Sequence, residues 1–184
     1  MNALNIVNIT KDMKVLGAIW EFWCTLFSDG MVRKLKVWFY VRGDQQVEGI
    51  DFFEICIPVV SWITIHLLLI LSIHLDLPSI QVDYTSAFLH TTIDNTMFFD
   101  MPRDFKQPDK VLKLKLLLYG LRQSPRKFFL HLTGKLEDQD FVQSTVDPYL
   151  FIKKKWYVQY ILVTIFSLIL MTLNSTIYYR KTVN

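Results

Sequence analysis

Two long apolar stretches limit what this chain can fold into more than any other feature of its sequence. Residues 55–75 and 156–173 are each long enough, and poor enough in charge, to cross a bilayer as a helix. Pro58, His66 and His74 interrupt the first stretch, which favours a helix buried in a folded domain. The second stretch follows three lysines and, taken alone, is typical of a membrane span.

The first stretch also carries a helical pattern. Its apolar residues Val59, Ile63, Leu67 and Ile70 recur at the spacing that places side chains on one side of a helix. We therefore expect an amphipathic helix from about Val59, with these four residues facing the core.

Glycine and proline divide most of the remaining chain into short elements. Ser28-Asp29-Gly30 predicts a hairpin turn, and Ser124-Pro125 predicts a helix start, because serine caps free amides and proline suits the first helical position. The expected order is a hairpin of residues 18–27 and 32–41, a helix from about 59, a strand at 80–88, a hairpin of 97–101 and 111–117, a helix from Ser124 to about Asp138, and a strand at 149–152. This alternation predicts an α+β fold.

Composition excludes little. The chain has 20 basic and 17 acidic residues, a net charge of +3, which does not by itself indicate a nucleic-acid partner. Cys24 and Cys56 lack the spacing of a zinc site or a disulfide framework. The first 16 residues lack a continuous apolar core, so we read no secretory signal and expect a cytoplasmic or nuclear protein.

Five blocks of sequence, in order, resemble the reverse transcriptases of copia-type LTR retrotransposons. They are QQVEGIDFFE at 45–54 followed by PVV at 58–60, QVDYTSAFLH at 81–90, MPRDF at 101–105, LYGLRQSPR at 118–126, and residues 141–152 with STVDP. The resemblance covers residues 33 to about 154. It implies a partial right-hand polymerase fold, with fingers and part of the palm but no thumb.

The same resemblance implies RNA-directed DNA polymerase chemistry. In that family two Mg²⁺ ions about 4 Å apart activate the primer hydroxyl and stabilise the leaving pyrophosphate. Asp83 matches the first catalytic and metal-binding aspartate. The implied partners are an RNA or DNA primer-template and a deoxynucleoside triphosphate.

The nucleotide pocket is implied in the same way. Phe88 matches an aromatic residue that lies under the sugar, although a phenylalanine on an apolar strand is as readily a core residue. Ser86 and Ala87 would bring the backbone close to the triphosphate. Tyr119 and Gly120 would border the pocket, although both are also ordinary turn residues.

The sequence departs from the family pattern in two places. The family's fingers hairpin typically carries a lysine, a small residue and an arginine, whereas this chain has Lys36-Val37-Trp38. Tryptophan cannot offer phosphate the charged fork of an arginine, so Lys36 alone is expected to contact the triphosphate. The family also has two adjacent aspartates in a turn between two apolar strands, but no acidic residue follows Asp147 here.

We therefore predict that the chain has lost polymerase activity, because Asp83 alone cannot hold two divalent ions. A reading-frame shift within residues 153–160 is our hypothesis for the cause. If the codons of Val163 and Thr164 both end in G, the frame displaced by one base encodes two aspartates there. The predicted division is an N-terminal extension at 1–30, a reverse transcriptase core at 31–155 and an off-pattern apolar segment at 156–184.

Two alternatives remain open at this stage. The chain is a small membrane-associated protein if residues 156–173 form a span. It is a non-catalytic nucleic-acid-binding remnant if its surface cations contact phosphate. The candidates for that role are Lys113, Lys115, Arg122, Arg126 and Lys127.

Overall fold

The structure is a computed structural model that describes residues 3–57, 59–84, 86–154, 158–163 and 167–172. Within them the chain forms eleven strands and two α-helices. In chain order these are β1 (Leu4–Asn8), β2 (Val15–Leu16), β3 (Ala18–Leu26), β4 (Val32–Val41), α1 (Trp62–His74), β5 (Ser79–Asp83), β6 (Phe98–Phe99), β7 (Lys110–Leu114), α2 (Ser124–Glu137), β8 (Val142–Gln143), β9 (Leu150–Lys154), β10 (Val158–Val163) and β11 (Ser167–Thr172). The predicted α+β class is confirmed.

The chain divides into two compact units, each built from two separate parts of the sequence. Unit 1 comprises Met1–Cys56 and Ser86–Phe128, and unit 2 comprises Ile57–Thr85 and Phe129–Asn184. The division at 30 and 155 that the sequence suggested stays a prediction.

Unit 1 contains a four-stranded sheet and a separate hairpin. The sheet has the order β1-β7-β6-β2, with β2 and β6 parallel and the other pairs antiparallel. The hairpin pairs β3 with β4 over nine positions, from Ala18↔Val41 to Leu26↔Val32. The fully buried side chains of unit 1 include Phe99, Leu114 and Leu117. Both hairpins predicted for this part of the chain, at 18–41 and 97–117, are confirmed.

Unit 2 contains a five-stranded antiparallel sheet of order β5-β11-β10-β9-β8. Its C-terminal strands β10 and β11 fall within residues 156–173, where the sequence had suggested a helical membrane span. In the part of the chain that the structure describes, no helix is both long enough and apolar enough to cross a bilayer. The stretch therefore contributes strands to the sheet rather than a helix.

Helix α1 exists as predicted, but its predicted core face is wrong. Val59, Ile63, Leu67 and Ile70 are between 54% and 84% exposed, whereas Leu68 and Ser72 are the helical residues that are buried. The sequence of α1 is apolar on nearly every side, and its few polar residues, Thr64, His66, Ser72 and His74, are spread around the helix rather than along one face. Periodicity alone could not identify the buried side.

Two other local predictions need correction. The strand predicted at 80–88 ends at Asp83, and Ala87–His90 forms a 3₁₀ turn after Ser86, whose φ of +54° breaks the extended backbone. Helix α2 begins at Ser124 as predicted, yet the Ser124 hydroxyl donates a hydrogen bond of 2.7 Å to the Leu118 carbonyl. The Ser124 hydroxyl therefore stabilises the turn that precedes α2, between Leu118 and Ser124.

Candidate functional site

Six of the seven predicted site residues lie in unit 1, and Gly120 is the most tightly constrained of them. The Val41 amide donates a hydrogen bond of 2.9 Å to the Tyr119 carbonyl, which joins the end of β4 to the turn that contains Gly120. Gly120 has a φ of +92°, and a Cβ added to it would lie 2.1 Å from the Val41 carbonyl oxygen. A Cβ added to Gly43 would lie 2.0 Å from the Gly120 carbonyl oxygen. Only glycine permits this approach of two backbones.

A buried amide network holds the same two segments together. The Gln46 side chain accepts a hydrogen bond of 2.9 Å from the Arg122 amide and donates one of 3.0 Å to the Gln123 side chain. The Arg122 guanidinium donates to the Gly43 carbonyl at 2.9 Å. Sequence reasoning placed Gln46 and Gln123 in family blocks but missed that they bind each other, because their positions are 77 residues apart.

Phe88 lies beneath Tyr119 in unit 1. Its ring centroid is 4.8 Å from that of Tyr119 and 6.0 Å from that of Phe128, and its side chain is 4% exposed. Ala87 is fully buried, whereas Ser86 is exposed and adopts a left-handed backbone conformation. The core role of Phe88 is thus visible in the structure, and its role under a sugar stays a prediction.

Lys36 lies on β4 of the hairpin, opposite Trp23. Its side chain is exposed, as is that of Trp38, which occupies the position where the family typically has arginine. Lys36 is therefore accessible to an anionic ligand.

Asp83 is the one predicted site residue in unit 2. It ends β5, and the backbone register pairs it with Ser167, the first residue of β11. β11 pairs in turn with β10, which ends at Val163. The sequence from Val163 to Ser167 contains no aspartate or glutamate.

The residues named at this end of the paired strands supply one carboxylate, that of Asp83. Magnesium requires several oxygen ligands that converge on one point, and carboxylates from adjacent strands are the usual source. Among the side chains that the structure describes, no group of three His, Cys, Asp or Glu residues is arranged to hold a metal ion. The strand beside Asp83 contributes serine and apolar residues instead.

Asp147 is a buried carboxylate of unit 2 that holds local structure. Its side chain accepts hydrogen bonds from the Ser61 amide at 3.2 Å and from the Tyr149 amide at 2.9 Å. It thereby ties the start of α1 to the loop before β9. Burial and the nearby Asp147 carboxylate raise the pKa of Tyr149 above its ordinary value.

Three of the five cations considered for phosphate binding make internal contacts in unit 1. Arg122 contacts the Gly43 carbonyl and lies over the Phe52 ring, with 5.4 Å between the guanidinium carbon and the ring centroid. Arg126 pairs with Glu54, and Lys127 pairs with Asp94. These contacts give the three cations a structural role.

Comparisons with known proteins point to one family. Residues 1–179 match the family model described as reverse transcriptase (RNA-dependent DNA polymerase). The chain is similar to the retrovirus-related Pol polyprotein from transposon TNT 1-94 of Nicotiana tabacum, with 32% identity over 81% of this chain and 11% of that protein. It is similar to those from transposons RE2 and RE1 of Arabidopsis thaliana, with 30% and 31% identity over 92% and 77% of this chain. It spans 12% and 10% of those two proteins. No solved structure matches the chain.

Proposed function

The chain belongs to the reverse transcriptase (RNA-dependent DNA polymerase) family, in its copia-type retrotransposon branch, and we propose that it no longer catalyses nucleotidyl transfer. It spans about a tenth of the curated polyproteins it matches. The activity, the primer-template and the deoxynucleoside triphosphate of those proteins are therefore part of the proposal.

One observation carries the proposal of inactivity. The strand that pairs with β5 places Ser167 opposite Asp83, and the chain between β10 and β11 contains no aspartate or glutamate. Two Mg²⁺ ions bridged by a single carboxylate would lack most of their protein ligands. Without the ions the primer hydroxyl is not activated and the leaving pyrophosphate is not stabilised.

In this proposal the five-stranded sheet of unit 2 is part of a polymerase palm, and the β3–β4 hairpin of unit 1 belongs to the fingers. The strand-turn-strand arrangement of β10 and β11 beside β5 supports it, since the family carries its aspartate pair in such a turn. The exchange of a fingers arginine for Trp38 further weakens the grip on triphosphate, because indole carries no positive charge.

A frameshift explains how the strands persist without the carboxylates. The displaced frame proposed for Val163 and Thr164 encodes aspartates where β10 ends and the connection to β11 begins. The coding DNA tests this part of the proposal directly. Third bases other than G at those two codons would exclude it.

A metal titration tests the missing ligands. Restoring the pair as V163D/T164D, at the two positions where the displaced frame encodes aspartate, adds two carboxylates at and just after the end of β10. The variant is expected to bind Mn²⁺, detected by loss of the free-ion signal in electron paramagnetic resonance. The unmodified chain is expected to leave that signal unchanged. Adding Asp83→Asn to the restored variant is the matched control and should abolish the binding. Stoichiometric Mn²⁺ binding by the unmodified chain would contradict the proposal.

A further inference from the structure

The β3–β4 hairpin is a sheet of two strands, so each strand has one edge outside the pair. Among the described residues, neither β3 nor β4 pairs with a third strand. An unpaired edge presents backbone N–H and C=O groups that can bond a strand of another chain. Because a hairpin alone is only marginally stable, added strands also stabilise it. The two edges of this hairpin differ in how open they are to a partner.

Backbone bonds at the base of the hairpin identify the β3 groups that point outward. The Val41 amide donates to the Tyr119 carbonyl and so points away from β3, whereas the next amide, that of Arg42, donates to the Gly17 carbonyl. Inward and outward pairs alternate along an antiparallel ladder, and Val41 is paired with Ala18. The outward backbone groups of β3 therefore belong to Ala18, Trp20, Phe22 and Cys24.

The β4 edge is protected along its length. It carries Arg33, Lys34 and Lys36 near the turn, and charged side chains, lysine above all, discourage pairing of an edge strand. Arg33 is skipped in the register with β3, so β4 bulges there. At the base of the hairpin, the outward Val41 amide is already bonded within its own chain.

The β3 edge lacks these protections. Its nine residues include one charged side chain, Glu21, whose carboxylate accepts a hydrogen bond of 2.7 Å from the Trp23 indole N–H. Phe22, at the middle of the strand, is 74% exposed. An exposed apolar edge of this kind favours pairing with another chain.

A cavity of about 580 Å³ adjoins the first half of β3. Ile19 and Trp20 both line it, although their side chains point to opposite faces of the strand, as expected for a space along the strand edge. The side formed by the loop after β6 is apolar and includes Met101, Pro102 and Phe105. The cavity therefore has room for apolar side chains of a strand that pairs with β3.

The turn of the same hairpin supplies apolar side chains of this kind. Leu26, Phe27 and Met31 are each more than half exposed. If two β3 strands pair antiparallel about Phe22, Leu26 of each copy lies opposite Ala18 of the other, beside the cavity. The turn of one copy then lies at the cavity of its partner.

The same register avoids opposing like charges. The two copies of Phe22 face each other at the two-fold axis, and Trp20 lies opposite Cys24. Glu21 of each copy lies opposite Trp23 of the other, so the two carboxylates are not directly opposed. The β3 edge is therefore complementary to a second copy of itself.

We propose that two copies of this chain associate through their β3 edges, as an antiparallel pair centred on Phe22, to form a four-stranded sheet of order β4-β3-β3-β4. The outer edges of this sheet are the two protected β4 edges, so assembly stops at the dimer. The association requires neither a divalent ion nor a nucleic acid, and it goes beyond the proposed loss of catalysis.

Sedimentation equilibrium of the full chain tests the edge. The unmodified chain is expected to show a reversible monomer–dimer equilibrium. Phe22→Lys should raise the dimer Kd more than about tenfold, because two like charges would meet at the two-fold axis. Val37→Lys is the matched control: Val37 is paired with Phe22, is 51% exposed and points outward on β4, so the same added charge should leave the Kd unchanged.

A charge exchange tests the register. Phe22→Lys and Phe22→Glu should each be monomeric alone, and an equimolar mixture should restore the dimer, because residue 22 faces its own copy only in the proposed pairing. Circular dichroism should show both variants folded, since Phe22 is exposed.

Four results would overturn the proposal: an unmodified chain that stays monomeric up to its solubility limit, a dimer insensitive to Phe22→Lys, equal weakening by Val37→Lys, or a mixture that stays monomeric. Filaments in place of dimers would likewise overturn it, because they require an edge contact that does not close. None of these results bears on primer extension, so this proposal and the proposed loss of catalysis fail separately.

Discussion

Gly120 shows how one residue of a family motif is fixed by local geometry. Its φ of +92° is costly for any residue with a Cβ, and the Val41 carbonyl oxygen occupies the space that a Cβ would need. The motif LYGLRQSPR placed this glycine at a turn from sequence alone. Its close approach to Val41 could not be predicted, because that contact joins residues 79 positions apart.

Gly120→Ala should therefore lower the free energy of unfolding by more than about 3 kcal/mol, combining backbone strain with a steric clash. Gly30→Ala is the control. Gly30 also has a positive φ, of +85°, but a Cβ there meets no atom within 4 Å, so only the strain of about 1 kcal/mol applies. Chemical denaturation measures both values. Equal losses in the two variants would show that the Val41 contact is not rigid.

Ionisation of the Tyr149 phenol is expected to make the stability of the folded chain depend on pH in the alkaline range. Burial, and secondarily the Asp147 carboxylate, raises the pKa of its phenol in the folded chain above the unfolded value of about 10. The folded state therefore retains a proton that the unfolded state has lost. The stability contribution is complete below about pH 10 and disappears as the pH rises through the folded pKa.

Denaturation curves from pH 8 to 11 should thus show the free energy of unfolding falling above about pH 10, and Tyr149→Phe should make that fall shallower. An unchanged slope in Tyr149→Phe would exclude this tyrosine as the source.

At the scale of elements, the sequence predicted which strands and helices form better than it predicted which of their sides are buried. The β3–β4 hairpin follows from a turn sequence between two β-prone runs, and its strands match the predicted ranges to within one residue. Helix α1 was predicted with the wrong side buried. A helix that is apolar on nearly all sides leaves the choice of buried face to tertiary packing, which periodicity does not record.

The exposed residues of α1 should tolerate charge. Ile63→Lys and Ile73→Lys are expected to change the free energy of unfolding by less than about 0.5 kcal/mol, because these side chains are largely exposed. Leu68→Lys should cost more than about 3 kcal/mol, since it buries an unpaired charge. Thermal unfolding compares the three variants. Equal destabilisation by Ile63→Lys would mean that α1 buries the face the sequence first suggested.

At the scale of the whole molecule, family and fold class were accessible from sequence, but the two discontinuous units were not. The α+β class followed from the order of elements, and the family followed from five short blocks. The division of the chain depends on which distant segments contact one another, as when β5 pairs with β11 across more than 80 residues. That pairing also locates Asp83 opposite Ser167, a relation on which the proposed loss of catalysis rests.

Primer extension tests that loss most directly. The purified chain is incubated with an RNA template, an annealed DNA primer, all four deoxynucleoside triphosphates and Mg²⁺ or Mn²⁺, with an intact copia-type reverse transcriptase as the positive control. We predict no extended product above the enzyme-free background with either metal. Extension that disappears in Asp83→Asn would contradict the account, because it would show that this aspartate still supports two-metal catalysis.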